Sequence, residues 1–178
     1  MNSSKSLQKL SVLALFTAVG LVLAWVERLI PMSAVIPGLK LGLANAAVII
    51  VLDRCGVRSA LTVSAARILL VNLLFGSLSG LLYAACGALL SLAGMAILKR
   101  TKRFGTVGIS AAGGVLHNLG QIGAACLLVN SSAPLAYLPP LCLGGAVCGT
   151  AVGVLAAVII RRIGSMFDKV FPQTDTNA

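Results

Sequence analysis

The charged residues of this chain fall at the ends of long apolar runs, a spacing that suits a fold whose solvent is the bilayer. In order, the runs are Leu7 to Ile30, Ile36 to Leu52, Val57 to Phe75, Leu78 to Leu98, Thr106 to Asn130 and Tyr137 to Ile160. A helix needs roughly 20 apolar residues to cross about 30 Å of hydrocarbon, and most of the runs reach or approach that length. The expectation is an all-α polytopic membrane protein with six transmembrane helices. Residues 1–166 form its single domain and residues 167–178 a polar cytoplasmic tail. With 58% hydrophobic and 10% charged residues, the chain has too little polar surface to coat a water-soluble core. Lys5 and Lys9 ahead of the first run resemble the start of a signal peptide. The run nevertheless continues to Ile30 without a small-residue cleavage site, as a spanning helix does.

Basic loops are retained on the cytoplasmic side, so the cations set orientation. Of the 14 Lys and Arg, Lys5, Lys9, Arg54, Arg58, Lys99, Arg100, Lys102, Arg103, Arg161, Arg162 and Lys169 all fall on one side. Both termini are then cytoplasmic and the location is the plasma membrane. The net charge of +10 is mostly topological, with anionic lipid headgroups a secondary partner. Nucleic acid is not expected, because the cations are divided among short loops.

Cys55, Cys86, Cys126, Cys142 and Cys148 show neither CxxC nor Cys/His ligand spacing and read as small buried hydrophobes; no metal site is indicated. Gly145, Gly149 and Gly153 stack on one face of the sixth run and invite a close helix neighbour, as do Gly80, Gly87 and Gly94 in the fourth. Ala14 and Ala18 form a small-xxx-small pair on the first run.

Polar side chains inside a membrane cost a few kcal/mol unless paired or wetted, so each is a functional candidate. The candidates are Lys40 and Asn45 in the second run, Arg67 and Asn72 in the third, and His117, Asn118 and Gln121 in the fifth. Arg offers a planar fork for phosphate or carboxylate, Lys a point charge, and the amides both donors and acceptors. Together they suggest a partly cationic cavity, open to the outer face, that binds a small anionic or amphiphilic ligand. Hydrogen bonding between helices is the competing role for Asn45 and Asn72, and snorkelling to the interface for Lys40. Arg67 and Asn72 differ by about 140° around an ideal helix, so one ligand reaches both only if the helix bends or unwinds. His117 is either a neutral structural imidazole or a group that titrates.

Three strings carry a resemblance: Pro37-Gly38-Leu39-Lys40-Leu41-Gly42-Leu43-Ala44-Asn45, Arg67 through Asn72 to Phe75-Gly76, and His117-Asn118-Leu119-Gly120-Gln121. Over nearly its whole length the chain resembles the Gx transporter family, also called heptaprenyl diphosphate synthase component I. That family is similar to the substrate-binding S components of energy-coupling factor transporters. The resemblance implies an S-component-like bundle, with an outward pocket covered by the loop Pro31 to Pro37. It also implies contact of Ala14 and Ala18 with a coupling transmembrane subunit, and two cytoplasmic ATPases as partners. The chain has no GxxxxGK[ST] string of its own for ATP hydrolysis.

The second family name implies a different class, a non-catalytic membrane component of heptaprenyl diphosphate synthase. Prenyl diphosphate chemistry requires divalent metal held by clustered carboxylates. Only four acids exist, with Glu27 and Asp53 single near run ends and Asp168 and Asp175 in the tail. The chain is therefore not expected to be an enzyme by itself, and no cofactor is expected.

Overall fold

A computed structural model describes residues 3–30 and 38–170, with side chains described for 6–30 and 38–164. The loop expected to cover the pocket lies outside the described residues, as do residues 171–178 of the expected tail, whose first residues, 167–170, belong to the last helix; the side chains of Lys5, Asp168 and Lys169 are not described. Five α-helices follow in order: α1 Ser3–Arg28, α2 Leu43–Phe75, α3 Leu78–Arg100, α4 Thr106–Val129 and α5 Leu138–Val170. A 3-10 turn, Ala133–Tyr137, leads into α5. Among the described residues four segments are long and apolar enough to span a bilayer: Ser6–Arg28, Leu78–Arg100, Thr106–Val129 and Ala133–Gly164. The chain is thus a helical membrane bundle, and the expected count of six spanning helices is corrected to four.

The physical reason lies in α2, where the second and third apolar runs join. Gly56 breaks the helix with φ 80° and ψ 175°, a conformation open essentially to glycine alone. Arg67 Nη2 donates to Asn45 Oδ1 at 3.1 Å across 22 residues of sequence, a separation of about 33 Å along a straight helix. The chain therefore doubles back at Gly56 into two arms, 43–55 and 57–75. The first arm is about 20 Å long, short of the hydrocarbon thickness. Its consecutive residues Ala46 to Leu52 are all buried, packed against Phe16 of α1, Ala60 and Val63 of the second arm, Leu92 and Met95 of α3, Ile109 of α4 and Ala156 of α5. An apolar run with no polar face is what a helix sheathed by protein requires. A Cβ at position 56 would meet nothing within 4 Å, so Gly56→Ala tests backbone conformation alone. The expected loss is about 1–3 kcal/mol, read as a lower unfolding temperature in detergent; an unchanged temperature would contradict the glycine-only bend.

The basic residues gather at the Gly56 end. Lys99 Nζ at the close of α3 donates to the Leu52 and Asp53 carbonyls, both at 2.7 Å, capping the first arm where its dipole is negative. Arg54 Nη2 donates to the Ile160 carbonyl of α5 at 3.2 Å, and Asp53 lies 3.4 Å from Arg54 and 3.9 Å from Lys99. At the opposite end, Arg28 of α1 donates to the Phe75 carbonyl and lies over the Phe75 ring.

The α5 glycines pack as the sequence implies, whereas in α3 Gly80 faces the Asn72 and Ser77 side chains and Gly94 the Leu116 side chain. Cβ atoms at Gly149 and Gly153 of α5 would fall 2.7 Å from the Ser110 carbonyl oxygen and 2.8 Å from the Val107 Cα of α4. Gly87 and Gly120 make the corresponding close crossing of α3 and α4. Serine bonds add to these crossings, Ser91 Oγ donating to the Gly113 carbonyl at 2.8 Å and Ser110 Oγ to that of Gly149 at 2.6 Å.

Candidate functional site: a cationic cavity within the bundle

Helices α1 and α2 pack closely on each other, as do α3 with α4 and α4 with α5, and α2 makes most of the contacts that join these two sets. Between them lies a cavity of about 330 Å³. Its walls begin at Glu27, Arg28 and Ile30, at the end opposite the basic one, and continue inward past Asn45 and Arg67 to Ser91, Ser110 and Val152. This is the lower part of the range typical of small-molecule sites, with room for on the order of ten waters.

Arg67 is the centre of the site. It comes from the middle of the second arm of α2 and is only 8% exposed. A Cβ on Gly20 of α1 would lie 2.9 Å from Arg67 Cδ, so the glycine leaves the stem its place. One terminal nitrogen bonds Asn45, while Nε is shut off from solvent and has no hydrogen-bond partner. A buried guanidinium donor left unmet costs free energy. Lys40 lies just before α2 and interacts electrostatically with Glu27, Arg28 and Arg67. Glu27 Oε1 accepts the Gly42 N–H at 2.6 Å, and Gly42 turns there with φ 75°. That bond ties the end of α1 to the start of α2 beside the cavity.

The facing wall carries no Lys, Arg, Asp or Glu. His117 of α4 lines it with Nδ1 buried and without a partner, its ring lying against Gly87 of α3. Asn118 also lines the cavity, yet it is 5% exposed and its Nδ2 donates to the Leu141 carbonyl at 2.6 Å, so that amide pins α4 to α5. Asn72 reaches the cavity while donating to the Ile68 carbonyl at 2.8 Å. The 140° between Arg67 and Asn72 needs no unwinding. Ile68 and Val71 also line the cavity and fill the arc between them.

The structure thus brings together Lys40, Asn45, Arg67, Asn72, His117 and Asn118. Gln121 is placed elsewhere, its stem packed on Gly87 in the crossing of α3 with α4. Sequence reasoning missed Glu27 and Arg28 as site residues. The available signal was that Glu27 is the one acid at the end of a run on the side away from the basic loops. Ala14 and Ala18 are exposed on α1. No group of three or more metal-ligating side chains occurs among the described residues.

An all-helical membrane bundle with a cationic internal cavity is the class that this fold and site define. Within that class, the chain belongs to the heptaprenyl diphosphate synthase component I family, whose model matches residues 16–159. Neither the curated proteins nor the solved structures contain a match.

Proposed function

We propose that this protein is the substrate-binding membrane subunit of an energy-coupling factor type uptake transporter. It captures a small anionic or amphiphilic ligand from the outer face, with both termini cytoplasmic. A coupling transmembrane subunit and two cytoplasmic ATPases drive release inward. The observation that carries this reading is Arg67, a buried cation that lines a cavity of about 330 Å³. A bundle pinned only by polar bonds has no need of that space.

The family name favours a second reading, in which the chain is a non-catalytic component that holds a soluble prenyl synthase at the membrane. Affinity capture of the tagged protein from native membranes separates the two. Recovery of a coupling subunit with its ATPases is expected, and is expected to fall at least tenfold when the exposed Ala14 and Ala18 become leucine. Recovery of a prenyl synthase, indifferent to those substitutions, would replace the transporter reading with the second.

A further inference from the structure

The charges around the cavity do not balance. Arg28, Lys40 and Arg67 contribute three positive charges and Glu27 one negative, and all four come from α1, α2 and the segment leading into α2. The α3 to α5 wall supplies no Lys, Arg, Asp or Glu; its polar groups include Ser91, Ser110 and His117. Arg28 and Lys40 are exposed at the mouth, where solvent screens them, and Arg67 is buried, so the cost of the unmatched positive charge falls mainly on Arg67 until an anion enters. Arg67, nine-tenths buried with its Nε unmet, shows that the imbalance extends into the interior and is not confined to the solvated mouth.

We infer that the cavity is built for a ligand whose head group carries two negative charges, seated against Arg67 and Lys40, with its apolar or neutral part against α3 to α5. The inference rests on the ligand-binding reading above and specifies its chemistry. A monoanion would leave one cation uncompensated, and a neutral ligand would leave both. Glu27 then acts as a charge regulator. It sets the excess at two, and its bond to the Gly42 N–H holds it beside Lys40. The volume, small against a lipid with two acyl chains, allows the head group to belong to a soluble small molecule or to enter alone from a membrane lipid.

The test uses the purified full-length protein in detergent and follows the fluorescence of its one tryptophan, Trp25 of α1, or its thermal unfolding. The probes share one ring and differ in charge: phenyl phosphate as the dianion, methyl phenyl phosphate as the monoanion and benzyl alcohol as the neutral form. Phenyl phosphate at pH 8 is expected to bind at least tenfold more tightly than the monoester anion. Its affinity should fall as pH drops through its own second ionisation, while that of the methyl ester stays level. Glu27→Gln keeps an acceptor for Gly42 and raises the excess charge, so dianion affinity should rise several-fold, a gain that misfolding cannot mimic. Arg67→Lys should retain more of the dianion preference than Arg67→Met.

Equal affinity for all three probes, abolished by filling the cavity with Ile49→Trp, would overturn the two-charge inference and leave the ligand-binding reading standing. No saturable binding of phenyl phosphate, or binding indifferent to Ile49→Trp, would overturn both. Phosphatidic acid added to the micelles identifies the source of the head group. Competition with phenyl phosphate marks a lipid, and unchanged binding marks a soluble anion.

Discussion

Replacing Arg67 with methionine is expected to weaken binding of an anionic probe such as phenyl phosphate by about 10- to 100-fold, the range for losing a hydrogen bond to a charged group. The same substitution is expected to leave the unfolding temperature within a few degrees of wild type, or to raise it. Arg67 is buried, its Nε is unmet, and it has one side-chain bond, to Asn45, to set against the cost of a cation in a cavity that Ile49, Ile68 and Val71 also line. Exchanging a buried charge for an apolar side chain of similar length is often neutral or stabilising. The two readouts therefore move independently if Arg67 serves a ligand. If its role were to pin the two arms of α2, stability would fall and probe binding would fall only with it. A loss of several degrees with affinity retained in the surviving fold would assign Arg67 to structure.

Gly114→Leu is expected to prevent assembly of the bundle. A Cβ at that position would run into the Gly145 carbonyl oxygen and come within 3.3 Å of the Gly149 Cα, so the obstruction is backbone that no rotamer change can move. The helices α4 and α5 would have to separate, breaking the bonds of Ser110 to Gly149 and Asn118 to Leu141 and opening the cavity wall they form. Overpacking costs about 1–3 kcal/mol where side chains can yield, and more is expected where they cannot. Gly123→Leu on the same helix is the control, because nothing lies within 4 Å of its Cβ. Monodisperse yield and unfolding temperature should collapse for the first variant and hold for the second. Similar behaviour of the two would mean that the α4–α5 crossing tolerates separation.

Several features were legible in the sequence for definite reasons. Charge at run ends locates helix boundaries closely, as for α3 and α4, because a charge inside hydrocarbon is expensive wherever the fold places it. The small residues of α5 point to a close crossing because only backbone can fill the space they leave. The first arm of α2 was not legible as a short central helix. A continuous apolar run reads the same whether lipid or protein surrounds it, and only the packing of α1, α3, α4 and α5 around Val51 decides. Glu27 and Arg28 went unnoticed because end-of-run charges read as topology before they read as chemistry. Gln121 was grouped with His117 because an i,i+4 spacing identifies a shared face but not what that face touches.

The reversal at Gly56 also bears on how the chain enters the membrane during synthesis. The second arm of α2 carries an arginine near its middle, which costs about 2.5–3.5 kcal/mol for a helix inserted alone. The first arm is too short to hold a transmembrane position by itself. Folded at Gly56, the arms present Asn45 and Arg67 to each other, and the apolar surface of the first arm shields the second. The two arms are therefore expected to enter the membrane together, after both have left the ribosome, so that residues 43–75 form one insertion event and not two.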